Sequence, residues 1–300
     1  MTKANLKDYR LGWVGTGRMG YAMASRLLKN GCDVAVYNRT RAKAELFAAQ
    51  GARVADTPAM VVKGARLVVS MLSDDEASRE AWTGRDGALA AAEPGAILVE
   101  CSTVTPAWVE ELAALAHARG LELLDAPVTG SRVQAEGGQL IFLVGGSEDA
   151  LAAVRAPLEA MSKEIIHLGA VTSGAKMKLL NNFLCGVQIA SLAEGMAWLE
   201  RSGLDRDKAL QVLKSGAPGS PLIATISARM TSGDYTVNFL LRLLSKDLAY
   251  AHAAAEDSGV ELSTAANAQR LFERAAAAGY GEKDMSAVVE VLRHPGNVKS

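Results

Sequence analysis

Leu11-Gly12-Trp13-Val14-Gly15-Thr16-Gly17-Arg18-Met19-Gly20 runs a short apolar segment into a glycine-rich turn, and the amphipathic stretch Met19–Lys29 follows at once. In a strand, turn and helix of this kind each glycine has a mechanical task. Gly15 permits the tight turn, Gly17 lets the backbone approach a pyrophosphate, and Gly20 lets the helix pack on the strand. The helix N-terminus behind the turn favours negative charge. The segment therefore reads as a dinucleotide-binding turn, with Thr16, Arg18 and Met19 completing the loop.

Working outward, the chain from Leu11 to about Leu168 alternates short apolar runs with helical patterns, the rhythm of βαβ units around a parallel sheet. Strands are expected at Leu11–Gly15, Asp33–Tyr37, Arg66–Met71, Ala96–Cys101, Leu121–Leu124, Gln139–Val144 and Glu164–His167. Between them lie helical runs at Met19–Lys29, Arg41–Gln50 and Pro106–Arg119, the last with proline in its first turn. The acidic run Asp74-Asp75-Glu76 suits a helix start, where carboxylates complement the dipole.

After Gly169 the rhythm changes. A proline-free helical pattern extends from Ser173 to Ser202, roughly 45 Å at about 1.5 Å per residue. Helices are expected beyond it at Arg206–Ser215, Leu222–Met230, Val237–Ser258 and Thr264–Ala278, with a frayed end from His294-Pro295-Gly296. The expected architecture is an α/β Rossmann-type dinucleotide-binding domain, residues 1–170, followed by an all-α domain, residues 171–300, entered through a long spine helix.

Composition narrows the class. The 300 residues carry 32 Lys+Arg and 33 Asp+Glu, a formal charge of −1, so nothing global draws the chain to nucleic acid or to an anionic membrane. With 49% apolar residues, disorder is excluded as an overall state. The N-terminus lacks an apolar signal core, and no apolar run approaches the 18 or so residues of a membrane span. Cys32, Cys101 and Cys185 lie far apart, as in a reducing compartment, and a cytoplasmic location is expected. His117, His167, His252 and His294 form no ligand spacing, so no metal is expected.

At the end of the second strand a chain selective for NAD usually places an acid for the ribose 2′-hydroxyl. Here the residues are Asn38-Arg39-Thr40. A guanidinium and a hydroxyl suit a 2′-phosphate, so NADP(H) is the expected cofactor, with NAD(H) a weaker one. On the spine, Lys178 and Asn182 are four apart and share a face, whereas Lys176 is rotated by about 200° from Lys178.

Several ordered stretches together carry a resemblance: the glycine turn, Met71-Leu72-Ser73, Glu100-Cys101-Ser102-Thr103-Val104, Asp125-Ala126-Pro127-Val128-Thr129-Gly130-Ser131, Lys178-Leu179-Leu180-Asn181-Asn182 and Lys246-Asp247-Leu248. Over nearly its whole length the chain resembles the β-hydroxyacid dehydrogenase family, which includes 3-hydroxyisobutyrate dehydrogenases and glyoxylate/succinic semialdehyde reductases. The resemblance implies Lys178 as general acid and base and Asn182 as a catalytic residue holding the substrate. It implies Thr129, Gly130 and Ser131 on the substrate carboxylate, with Phe239 and Asp247 also on the substrate. Met71, Leu72, Ser73 and Thr103 would border the cofactor, and Lys246 would contact it. The family commonly has Ser-Gly-Gly where this chain has Thr129-Gly130-Ser131. That departure, with Asn38-Arg39-Thr40, leans towards an NADPH-linked reductase of small semialdehydes, working as a homodimer or homotetramer. The alternatives are a hydroxyacid dehydrogenase working in oxidation and, in another class, a nonenzymatic NADP-binding scaffold.

Overall fold

The structure, a computed structural model, describes residues 6–294. The beginning of the N-terminal segment and the fraying expected past His294 lie outside the described residues. The chain divides after Lys178 into two compact units.

In the first unit nine strands form one sheet: β1 (Arg10–Val14), β2 (Asp33–Tyr37), β3 (Arg53–Val54), β4 (Leu67–Ser70), β5 (Ile97–Glu100), β6 (Glu122–Asp125), β7 (Val128–Thr129), β8 (Leu140–Gly145) and β9 (Ser162–Gly169). Their order is β3-β2-β1-β4-β5-β6-β8-β7, with β9 paired to β8. The first six are mutually parallel. Alternation of side chains sends Leu67 and Val69 to a core shared with Trp13, Val34 and Val36. Val68 and Leu98 go to the opposite face, with Trp82, Trp108 and Leu112. The order reverses between β1 and β4, where open α/β sheets bind ligands beyond their strand ends.

The sheet departs from the all-parallel expectation at one side: β8 runs antiparallel to β6 and β7. The link from β6 to β8 holds only a two-residue strand and a six-residue helix, Arg132–Gly137. β7 lies antiparallel on β8 and the chain turns back between them through that helix, so β8 returns as in a hairpin instead of crossing over the sheet. β9, parallel to β8, alternates exposed and half-buried residues.

Other differences have local causes. The expected helix Arg41–Gln50 is an α-helix over Arg41–Glu45 and a 3-10 turn over Ala48–Gln50, because the chain bends to bury Phe47 against Tyr21. β3 and β7, two residues each, are too short to show alternation. The helix behind Asp74 forms as expected, with Asp74 accepting the Ala77 N–H at 2.8 Å.

The spine helix runs over Ser173–Arg201, and the second unit adds helices at Arg206–Ser215, Pro221–Ser232, Leu241–Glu256 and Ser263–Ala275. They close around Ala193, Met196, Met230, Leu244, Leu248 and Phe272. The helix expected from Val237 begins only at Leu241. The cause is Asp284, 1% exposed, which accepts the N–H groups of Asn238 at 2.8 Å and Phe239 at 3.2 Å and holds that stretch extended. Asp284 also accepts from Ser286 and pairs with Arg229 at 3.2 Å.

Replacing Asp284 with Ala removes the carboxylate partner of the half-buried Arg229 and strands the backbone donors of Asn238, Phe239 and Ser286 together. A loss of about 3–5 kcal/mol is expected in urea unfolding. A loss below about 1 kcal/mol would show that the carboxylate does not hold this unit.

Candidate active site

At the switch point the glycine turn is as tight as its sequence implies. Gly15 has φ +95°, and a Cβ there would lie 2.3 Å from the Met71 carbonyl oxygen and 2.8 Å from Leu72 Cδ2. A Cβ at Gly20 would lie 2.0 Å from the Gly15 carbonyl oxygen. A Cβ at Gly17 meets nothing within 4 Å, so this position alone faces open space. The turn is steadied by Asn38, whose Oδ1 accepts the Thr16 N–H at 2.9 Å and whose Nδ2 donates to the Thr40 carbonyl at 3.1 Å.

Three observations fit a bound pyrophosphate. Gly17 leaves room for it. The helix Arg18–Lys29 has neither a side-chain cap nor an acid in its first turn. Thr16 Oγ1 is buried and has no hydrogen-bond partner among the described residues. Arg18 and Gly17 are exposed and Met19 is half-buried. Beyond the turn, Arg41 pairs with Glu45 and Asp56, whereas Arg39 and Thr40 are exposed at the same corner.

The strip behind the turn is organised by a residue given no role above. Glu100, 0% exposed at the end of β5, accepts from Ser102 N–H at 2.8 Å, Trp82 Nε1 at 2.9 Å and Ser78 Oγ at 2.5 Å. Ser102 Oγ in turn accepts the Leu72 N–H at 2.7 Å. Met71, Leu72 and Thr103 are half-buried, and Ser73 is exposed, donating to Asp74.

In the loop after β6, Thr129 is half-buried and pairs with Ile141 of β8. Gly130 has φ +119°, and a Cβ there would come within 2.9 Å of Leu140 Cδ2. Ser131 turns both its N–H (2.9 Å) and its hydroxyl onto Gln134 Oε1. The anion-facing donors of this loop are therefore fewer than expected. The spacing Ser131-Arg132-Val133-Gln134 is a capping-box pattern that was legible in the sequence.

Asp125, at the end of β6, heads the same loop. It is buried, and its carboxylate accepts the Thr172 N–H at 2.9 Å and the Ala175 N–H at 2.7 Å. Burial pushes this carboxyl up to about 6, against the opposing pull of the backbone N–H groups of Ala175, Thr172 and Gly174. Farther along the helix Lys176 is exposed and Lys178 half-buried, as their angular separation requires.

In the second unit Asn182, 3% exposed, donates to Asp247 Oδ2 at 2.6 Å. Lys246 Nζ lies 3.0 Å from Asp247 Oδ1 and 4.4 Å from the centre of the Tyr250 ring. Asp247, placed on the substrate by the resemblance, has its carboxylate turned onto Asn182 and Lys246. Phe239 is half-buried on the segment that Asp284 holds. Among the described residues no group of His, Cys, Asp and Glu could hold a metal, and no helix is long and apolar enough to cross a membrane. Burial raises the Cys32 and Cys101 thiols, in keeping with core residues.

A Rossmann-type sheet with this turn, and a helical unit entered through a lysine-bearing helix, define an NAD(P)-dependent oxidoreductase. Residues 10–169 match the model for the NAD binding domain of 6-phosphogluconate dehydrogenase, and residues 172–292 match that for the NAD-binding of NADP-dependent 3-hydroxyisobutyrate dehydrogenase. The chain is 34% identical to glyoxylate/succinic semialdehyde reductase 2, chloroplastic, of Arabidopsis thaliana, covering 97% of this chain and 82% of that one. It is 32% identical to 2-(hydroxymethyl)glutarate dehydrogenase of Eubacterium barkeri, covering 95% of each. The structure of Mycobacterium tuberculosis 3-hydroxyisobutyrate dehydrogenase with L-serine superposes with a TM-score of 0.86 at 30% identity, covering 94% of this chain and 98% of that one. The chain belongs to the β-hydroxyacid dehydrogenase family, as an NAD(P)-dependent dehydrogenase or reductase.

The elevated Asp125 carboxyl has a testable sign. A folded-state value near 6, above the ordinary 3.8, means that its stabilising contribution is complete below about pH 4 and is lost as pH rises through 6. The stability of the wild type relative to Asp125→Asn should therefore fall by roughly 2–3 kcal/mol between pH 4 and 7. Denaturant titrations across that range check this, and a flat difference would refute it.

Proposed function

We propose that the protein is an NADP(H)-dependent reductase of small carboxylate-bearing aldehydes, semialdehydes or glyoxylate, and catalyses the reverse oxidation of the corresponding hydroxyacids. We read residues 1–170 as the dinucleotide-binding domain and 171–300 as the helical domain. The observation that carries the proposal is on the spine helix. Lys178 is half-buried, and one turn on, Asn182 is buried and oriented at 2.6 Å by a carboxylate.

When bound, the nicotinamide supplies or accepts the hydride. The chain's own residues do the rest. Lys178 holds a proton at Nζ, gives it to the carbonyl oxygen in reduction, and takes it back from the hydroxyl in oxidation. Asn182, with one amide N–H committed to Asp247, keeps a second for the substrate. Asp247 acts as its support, and Lys246 is held beside that carboxylate for the cofactor. Thr129 and the Gly130 N–H take the substrate carboxylate. Ser131, its donors on Gln134, shapes the loop. Phe239 supplies an apolar contact to the substrate.

The turn Gly15–Gly20 takes the pyrophosphate. Arg39 and Thr40 receive the 2′-phosphate, which is supported by the commitment of Arg41 to Glu45 and Asp56. Leu72 and Thr103 border the nicotinamide and its ribose, with Met71 and Ser73 flanking them.

The names of two similar proteins, 2-(hydroxymethyl)glutarate dehydrogenase and 3-hydroxyisobutyrate dehydrogenase, favour a second reading in which hydroxyacid oxidation is the working direction. Initial rates with glyoxylate, succinic semialdehyde, methylmalonate semialdehyde, tartronate semialdehyde and their alcohols, each with both cofactors, separate the two. Fastest turnover is expected for an aldehyde with NADPH. Tight NADPH binding with no turnover across the panel would instead establish a nonenzymatic scaffold.

Lys178→Ala should leave NADPH binding nearly intact and lower kcat by about 10²–10⁴; retention of more than half the activity removes the lysine from the mechanism. Arg39→Ala should weaken NADPH by about 1.5–3 kcal/mol in equilibrium binding and spare NADH. Equal losses for both cofactors would remove Arg39 from the 2′-phosphate.

A further inference from the structure

Several helices of this chain begin with caps from the residue just before their first turn. Asp74, Thr105, Ser147, Asp205 and Ser220 each accept an N–H three residues ahead. The spine helix is different. Its first turn is capped from another element, by Asp125 at the end of β6, whose Oδ1 takes the Thr172 N–H at 2.9 Å and whose Oδ2 takes the Ala175 N–H at 2.7 Å.

This junction is made of residues that ordinary packing would avoid. Thr172 is the one non-glycine residue with positive φ, +81°, among the described residues, and it is β-branched. Its N–H is one of the two that Asp125 holds. A Cβ at Gly145 would lie 2.4 Å from Asp125 Oδ1 and 2.9 Å from the Ser173 nitrogen. A Cβ at Gly174 would lie 2.3 Å from the Leu143 carbonyl oxygen and 2.6 Å from that of Asp125. A strained threonine, two glycines without room for a methyl group and a desolvated carboxylate therefore meet where β6, β8 and the helix converge.

A cap from the sheet ties the first turn of the helix to that sheet by directed, charge-assisted bonds, which a cap from the helix's own first residues does not. Lys178 follows Ala175 by three residues, less than one turn. At about 100° and 1.5 Å per residue, a slip of a single position would carry its side chain a quarter-turn away. Asp125 also heads the segment that leads, four residues later, to Thr129 and Gly130.

We propose that Asp125 is the positioning residue of the general acid: its carboxylate fixes the start and rotational phase of the spine helix, and so keeps Lys178 in register with the loop Thr129–Ser131. This rests on the reading of Lys178 as the acid and extends it to a residue that touches neither substrate nor cofactor.

The test compares Asp125→Asn with Lys178→Ala, using glyoxylate and succinic semialdehyde with NADPH. Asp125→Asn preserves shape but turns either an N–H onto the Ala175 N–H or an N–H onto that of Thr172. It should lower kcat at least tenfold, leave the NADPH dissociation constant within twofold, and move the Lys178 limb of the kcat–pH profile by at least half a pH unit. A merely structural role would reduce the folded fraction without moving that limb. A kcat within twofold of wild type, or a loss matched by the unfolded fraction with the limb in place, overturns the proposal. If Asp125→Asn does not fold, Asp125→Ser, whose hydroxyl still accepts one N–H, is measured against the same criteria. Full activity in Lys178→Ala overturns the reading of the acid itself. Inactive Lys178→Ala beside an unchanged Asp125→Asn overturns this inference alone.

Discussion

The first unit is governed by a close approach of backbone to backbone where β1 and β4 end. The Gly15 carbonyl sits where a side chain on Gly20 would be, and the Met71 carbonyl where a side chain on Gly15 would be. Neither contact tolerates a methyl group, so the first helix lies hard against its strand and aims its N-terminus past Gly17. Trp13 Nε1–H donates to the same Gly15 carbonyl at 2.9 Å, which gives that buried oxygen a partner. Asn38, at the end of the neighbouring strand, grips Thr16 and so makes the second strand part of the turn. The anion cradle follows from packing, before any ligand is considered.

Buried acids, three of them at the ends of elements, are a recurring means of fastening in this protein. Glu100 accepts from the Trp82 indole and fastens the strip behind the turn; Asp125 binds the spine helix; Asp284 binds the segment before Leu241; Asp247 binds Asn182. Glu100, Asp125 and Asp284 are satisfied in part by main-chain N–H groups, which are fixed in direction and cannot move away as a lysine can. Each thereby orders a loop or helix start through a few directed bonds instead of through a broad apolar contact. This suits sites where polar groups must be held at the edge of a core.

The strands β1, β2, β4 and β5 were legible in the sequence because short apolar runs mark them, and the spine helix because 29 residues pass without a proline. The glycine turn was legible because conformation itself demands those residues. Lys178 was separable from Lys176 by helical angle alone. What could not be read were the partners. Asp125 reaches Thr172 across 47 positions, Asn182 reaches Asp247 across 65, and Asp284 reaches Asn238 across 46. No local pattern encodes such a bond. Phe239 sat in an unbroken helical pattern, and only the distant Asp284 explains why its backbone is extended. The engagement of Ser131 with Gln134 was different: its spacing was in plain view, and the expectation of an open anion-binding loop concealed it.

The two sides of the sheet end in contrasting ways. β3 closes one side with two paired residues, and β9 closes the other, bonding among the described residues to β8 alone. β9 alternates exposed and half-buried residues and carries the charges of Lys163 and Glu164 as well as the exposed Ile166 and Leu168. A two-residue strand offers too little main chain to template another, and the charges of Lys163 and Glu164 work against stacking β9 with a copy of itself. A sheet of this width would otherwise present long unpaired rims to its neighbours at high concentration. One margin limits strand-to-strand growth by its brevity and the other by charge, and each borders an element beside candidate site residues: β2 with Asn38 to Thr40 beyond its end, and β8 paired to Thr129, so neither rim is separate from that part of the molecule.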